Sequence, residues 1–100
     1  MDKYAVKLLP RAFRDIDQIY GHIAEEFKAP ETAKKMVDEL EEAILNLDLN
    51  PYRGAERRVG VYGNRGYRQL FVKNFTVLYR VDEKEKSILI VTVRYSPSRF

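Results

Sequence analysis

The side chains able to do chemistry in this chain are arginine, lysine and tyrosine. Three of them, Arg68, Lys73 and Arg80, interrupt the otherwise apolar stretch Gly66–Val81, which is built from Phe, Val, Leu, Tyr and Thr. Arg94 and Tyr95 follow at the end of the next apolar stretch. There is no cysteine and one histidine, His22, so disulfides and thiolate metal sites are excluded and a protein-built zinc site is not expected. No Ser-His-Asp set, no glycine-rich phosphate loop before a helix and no strong nucleotide motif is present, so no cofactor is expected. Cleaving RNA through its own 2′-hydroxyl needs a base, stabilisation of a pentavalent phosphate and protonation of the leaving oxygen. Arginine and lysine stabilise developing charge, and a tyrosine or lysine with a shifted pKa can move protons. The same residues would hold a nucleic-acid backbone without any chemistry. Composition leaves the two open.

The net charge of +3 hides an asymmetry. Residues 1–50 carry 7 Lys/Arg against 11 Asp/Glu, net −4, and residues 51–100 carry 11 against 4, net +7. Segregated charge suggests a polyanion or an acidic protein as partner for the second half. Arg57, Arg58, Arg65 and Arg80 are the expected nucleic-acid-binding residues there. No apolar run approaches the roughly 18 residues of a membrane span, and the first residues lack the apolar core of a signal peptide. A cytoplasmic location with no membrane partner is therefore the expectation.

The elements that must position these groups read clearly along the chain. At 100 residues the length fits a single domain over positions 1–100. Lys3–Leu9 alternates Tyr4, Val6 and Leu8 with Lys3, Ala5 and Lys7, the pattern of a half-buried strand. Pro10 opens a helix over roughly 11–27, with Phe13, Ile16, Ile19, Tyr20, Ile23 and Phe27 as its apolar stripe. Pro30 opens a second, with Ala33, Met36, Val37, Leu40, Ile44 and Leu47 as its stripe, ended by Asn50-Pro51. Residues 52–65 form a glycine- and arginine-rich connection in which Val59 and Val61 suit a partial strand. Two strands then meet at a Lys73-Asn74 turn, and a last strand runs from Ser87 to about Tyr95. The order β-α-α-β-β-β predicts an α+β domain, with a helical hairpin packed on one face of a mainly antiparallel four-stranded sheet.

A two-residue turn at 73–74 and a four-residue loop at 83–86 set the register. Arg68 then lies opposite Tyr79, Tyr79 opposite Ile90, and Phe75 opposite Arg94. Cross-strand partners share a face, so Arg68, Leu70, Val72, Phe75, Val77, Tyr79, Ile90, Thr92 and Arg94 are expected on one face. Phe71, Leu78, Leu89, Val91, Val93 and Tyr95 are expected on the other. The arginine-free face is the expected helix-packed core, which leaves Arg68 and Arg94 side by side on an open interaction surface.

Taken together, the element order, Asn50-Pro51 before a glycine-bearing loop, Gly66-Tyr67-Arg68, Val77-Leu-Tyr-Arg-Val-Asp82 and Ile88-Leu-Ile-Val-Thr-Val-Arg-Tyr95 resemble the RelE/ParE superfamily of bacterial type II toxin–antitoxin systems. The resemblance spans essentially the whole chain. It implies a growth-arresting toxin neutralised by a cognate antitoxin that wraps it. RelE-like members cut mRNA on the ribosome, whereas ParE-like members poison DNA gyrase and are not nucleases. On the RelE-like reading, expected first, Arg68 and Arg94 bind and stabilise phosphate, Lys73 assists and Tyr95 transfers the proton. Arg94-Tyr95 looks like the Arg-Tyr before the catalytic His-Tyr end of YoeB-like toxins, but Ser96 and Pro97 stand where that pair would be. A ParE-like gyrase poison, or an inactive homologue that only binds antitoxin, is the alternative.

Overall fold

Two prolines start the two helices of the computed structural model, which describes residues 3–58, 60, 63 and 65–96. Helix α1 spans Pro10–Phe27 and helix α2 spans Pro30–Leu45, each with proline in its first turn, where a missing N–H costs nothing. Lys28 closes α1 in the left-handed conformation at φ 51°, and the chain turns back at once into α2. In α1 the buried line is Ala12, Ile16, Ile19 and Ile23, while Phe13, Tyr20 and Phe27 of the expected stripe stand at its exposed flank. Helix α2 buries Ala33, Val37, Leu40 and Ile44. It does not run on to Pro51: the backbone tightens into a 3₁₀ turn at Asn46–Asp48, which still buries Leu47.

The strands are β1 (Ala5–Leu8), β2 (Ala55–Glu56), β3 (Tyr67–Val72), β4 (Phe75–Asp82) and β5 (Ser87–Tyr95). They form one sheet in the order β1-β5-β4-β3-β2, with β1 parallel to β5 and every other pair antiparallel. The α+β layering matches the sequence reading. The sheet has five strands instead of four because two residues of the arginine-rich connection, Ala55 and Glu56, pair with Gln69 and Arg68. Val59 and Val61, where a partial strand was expected, lie outside the described residues. No helix among the described residues is long and apolar enough to cross a membrane.

Both turns have the expected length. Val72 pairs with Phe75, Arg68 with Tyr79, and Asp82 with Ser87. The left-handed residue of the first turn is Lys73, at φ 52°, and not Asn74. Further along β4–β5 the register slips by one residue between Leu78 and Tyr79, so Tyr79 pairs with Ile90 but Leu78 with Thr92. Val91 is the extra residue of this bulge, and every later side chain of β5 changes face. Phe75 consequently meets Tyr95, and Arg94 meets Thr76.

The helices also cover the opposite face from the one expected. The core joins Leu70, Phe75, Val77, Tyr79, Ile88, Ile90 and Val93 to both helices, while Phe71 is 47% exposed on the far side. Arg68 shares the core phase of its strand without being in the core. It sits near the start of β3, and its guanidinium is taken up by loop carbonyls as described below. The arginine-based choice of face failed because one satisfied charge at a sheet end does not outweigh the buried apolar residues on the same face. Beyond the reach of β1, β5 would offer a bare edge. Asp15 of α1 closes it, accepting from the Thr92 hydroxyl at 2.5 Å and the Val93 N–H at 3.1 Å.

Candidate functional site

A densely bonded polar group lies where the chain leaves the helices and enters the sheet. Arg68 and Tyr79 are direct cross-strand partners on β3 and β4, so their side chains rise together from the same face. Both reach the loop 51–54. The Tyr79 hydroxyl donates to the Pro51 carbonyl at 2.8 Å and accepts from the Gly54 N–H at 2.9 Å. Arg68 donates through Nε to the Gly54 carbonyl at 2.7 Å and through a terminal nitrogen to the Tyr52 carbonyl at 3.4 Å. Its guanidinium also lies 5.1 Å from the centre of the Tyr52 ring, within cation–π range. Gly54 is buried, and a Cβ there would meet the Gln69 carbonyl oxygen at 2.7 Å. Only glycine lets the loop lie this close to β3.

Tyr52 carries the network outward. Its hydroxyl donates to Glu83, which also accepts from the Tyr4 hydroxyl at 2.6 Å and pairs with Lys86 at 3.0 Å. One carboxylate thus joins the N-terminal strand, the loop and the β4–β5 turn. The two phenols and Lys86 hold the Glu83 carboxyl at about 2, below its usual 4.5. A depressed carboxyl contributes stability that is complete above its unfolded value and lost as pH falls towards the folded one. Urea midpoints of the wild type should therefore decline more steeply between about pH 5 and about pH 2 than those of Glu83→Gln. Parallel curves would remove Glu83 from the acid response.

The residues expected to act together are spread over the molecule. Arg68 stands near the start of β3, whereas Lys73 occupies the turn at its far end and pairs with Glu39 of α2. Tyr95 lies on the helix side near that same far end, its ring 5.3 Å from Phe75 and 6.2 Å from His22. It borders an open cleft of about 290 Å³ with Asp15, Gln18, Ile19, His22 and Val93. Arg94 is exposed on the opposite face. That face also carries Arg80, 5.7 Å from the Tyr67 ring centre, and Arg57, which donates to Gln69 at 2.6 Å. Arg58 and Arg65 are exposed in the connection before β3. The bulge at Val91 is what parts Arg94 from Arg68.

The tyrosines of these networks are shifted away from proton transfer near neutrality. Burial, and to a smaller extent Glu26, pushes the Tyr95 phenol up. Burial likewise raises Tyr79, and the bond to Glu83 raises Tyr4 and Tyr52. A raised phenol is a weaker acid at neutral pH, the wrong direction for a tyrosine that must ionise to act as a base. Among the described residues no three His, Asp or Glu side chains converge to hold a metal ion. The arrangement is suited to holding surfaces in place and presenting cations. Sequence reasoning placed Arg68 opposite Tyr79 but did not see that both serve the loop. The available signal was Gly54 following Asn50-Pro51, where the sequence suggests only a helix end and a glycine-rich connection.

Residues 6–97 match the family described as ParE toxin of type II toxin-antitoxin system, parDE. Among solved structures, the chromosomal ParDE TA system from P. aeruginosa contains a chain 28% identical, with a TM-score of 0.76, covering 94% of this chain and 97% of that one. The RelBE2 toxin–antitoxin complex from Mycobacterium tuberculosis is similar at 19% identity and a TM-score of 0.69, covering 95% and 93%. A mutant E. coli RelE toxin in the free state is 10% identical with a TM-score of 0.65, covering 97% and 87%. The last two likenesses are of fold alone. No curated protein matches the chain.

Proposed function

The chain belongs to the ParE toxin family of type II toxin–antitoxin systems, and from that premise we propose that it arrests growth by binding DNA gyrase in the cytoplasm. On this reading it performs no nuclease chemistry and is held inactive by a cognate antitoxin. The observation that carries the reading is the dispersal of the candidate catalytic groups. Arg68 and Arg94 occupy opposite faces of the sheet, and Lys73 and Tyr95 lie at the end remote from Arg68. Ribosome-dependent mRNA cleavage would need these cations and a proton-transferring group around one phosphate, within about 3 Å of the reacting atoms. The neighbour at 28% identity comes from a ParDE system, in keeping with the same choice and with an antitoxin partner. The uncovered sheet face, with Arg80, Arg94 and the half-exposed Phe71, offers an acidic amphipathic segment both apolar area and charge partners.

Tyr95→Phe tests the absence of chemistry with little disturbance, because it keeps the ring on Phe75 and removes only the hydroxyl. Growth arrest on induction should stay within about twofold of wild type, as expected when no transition-state interaction is lost. A loss of about a hundredfold or more, the scale of a missing general acid or base, would overturn the reading.

A further inference from the structure

The loop fastened by Arg68 and Tyr79 is more rigidly held than a connection needs to be. Four hydrogen bonds, a stacked guanidinium and a glycine with no room for a Cβ fix the four residues 51–54. The Arg53 N–H adds a turn bond to the Asn50 carbonyl at 3.2 Å. Yet this segment and the turn before it hold large apolar groups in solvent: Tyr52 is 49% exposed, and Leu49, which closes the 3₁₀ turn, is 63% exposed. Arg53 beside them is exposed and makes no ion pair among the described residues. The nearby carboxylate, Glu83, is already engaged by Tyr4, Tyr52 and Lys86.

Tyrosine and arginine are, with tryptophan, the residue types enriched at interface hot spots. Holding the backbone that bears them, and the Tyr52 ring, in one geometry before contact removes part of the ordering cost at the moment of binding. We propose that Leu49, Tyr52 and Arg53 form the contact surface for the toxin's protein target, a folded surface offering an apolar pocket flanked by a carboxylate. Arg68 and Tyr79 are then positioning residues for that surface. A folded partner fits better than a disordered acidic segment, because the backbone of four residues is held in one shape and presents from it one cation unpaired among the described residues. The broad, cationic sheet face suits the flexible segment instead. The inference rests on the protein-binding reading above.

The test uses the full chain carrying Leu49→Ser and Arg53→Glu together, since both side chains are exposed and neither makes a hydrogen bond or ion pair among the described residues. Three properties are read: growth arrest on induction, inhibition of purified gyrase, and capture of the antitoxin co-expressed from the neighbouring reading frame. With folding verified by circular dichroism, growth arrest should disappear and half-inhibition of gyrase should need at least about tenfold more protein, the loss of one hot-spot contact. Antitoxin capture should be unchanged. Undiminished growth arrest would overturn the proposal. So would a parallel loss of antitoxin capture, which would give the surface to the antitoxin. A wild-type chain that arrests growth while gyrase stays active would sink the gyrase reading alone, and growth arrest by the double variant would still judge the surface.

Discussion

Tyr79→Ala is expected to lower the unfolding free energy by about 3–5 kcal/mol, the range for truncating a fully buried aromatic side chain. Tyr79 has no exposed surface and belongs to the core that joins sheet and helices. Against a total stability of about 5–15 kcal/mol for a domain of ordinary stability, such a loss leaves little margin at growth temperature. Tyr79→Phe separates the two roles of the residue. It keeps the ring and deletes the hydroxyl, leaving the Gly54 N–H and the Pro51 carbonyl without their partner. That change should cost about 1–3 kcal/mol, the penalty for a buried polar group left unpaired. Both values follow from urea midpoints at constant slope. A Phe variant as stable as wild type would show that the hydroxyl does not anchor the loop.

Gly54→Ala should cost about 2–4 kcal/mol, through overpacking and the strained bond to Tyr79. The new methyl would lie 2.7 Å from the Gln69 carbonyl oxygen, 2.8 Å from the Tyr79 hydroxyl and 2.9 Å from its ring. Neither neighbour can yield easily: one is backbone of β3 and the other a buried ring. For a domain of this size the melting temperature should fall by roughly 10–25 °C. Gly21 is the internal control. It lies in α1 with nothing within 4 Å of where a Cβ would be, so Gly21→Ala should stabilise by about 0.5–1 kcal/mol through helix propensity alone. Equal effects at the two glycines would mean that loop and strand are not in close contact.

Local pattern made most of the fold readable. The prolines at 10 and 30, the three- and four-residue apolar steps and the two short turns each act over a few residues, and both helices and the strands β1, β3, β4 and β5 appeared near their expected places. What was not readable depends on contacts between distant residues. The bulge at Val91 has no composition signal, since Ile90, Val91, Thr92 and Val93 all suit a continuous strand. It alone moved Arg94 to the other face and separated the expected catalytic pair. Choosing the helix-covered face from the position of Arg68 failed for a related reason. The carbonyls of Tyr52 and Gly54 that satisfy it are fourteen or more residues away in sequence. Arg68 thus drew notice for its charge, while the geometry gives it the work of a strut. Glu83 looked like an ordinary turn residue, and only the fold brings Tyr4 and Tyr52 to it.

The most direct test adds the purified chain to a DNA supercoiling reaction containing gyrase. A protein-binding toxin of the kind proposed stops supercoiling and leaves gyrase trapped on DNA, and pre-mixing with antitoxin restores activity. Supercoiling that proceeds undisturbed, while the same preparation cuts mRNA at codon edges in a cell-free translation reaction, would contradict it.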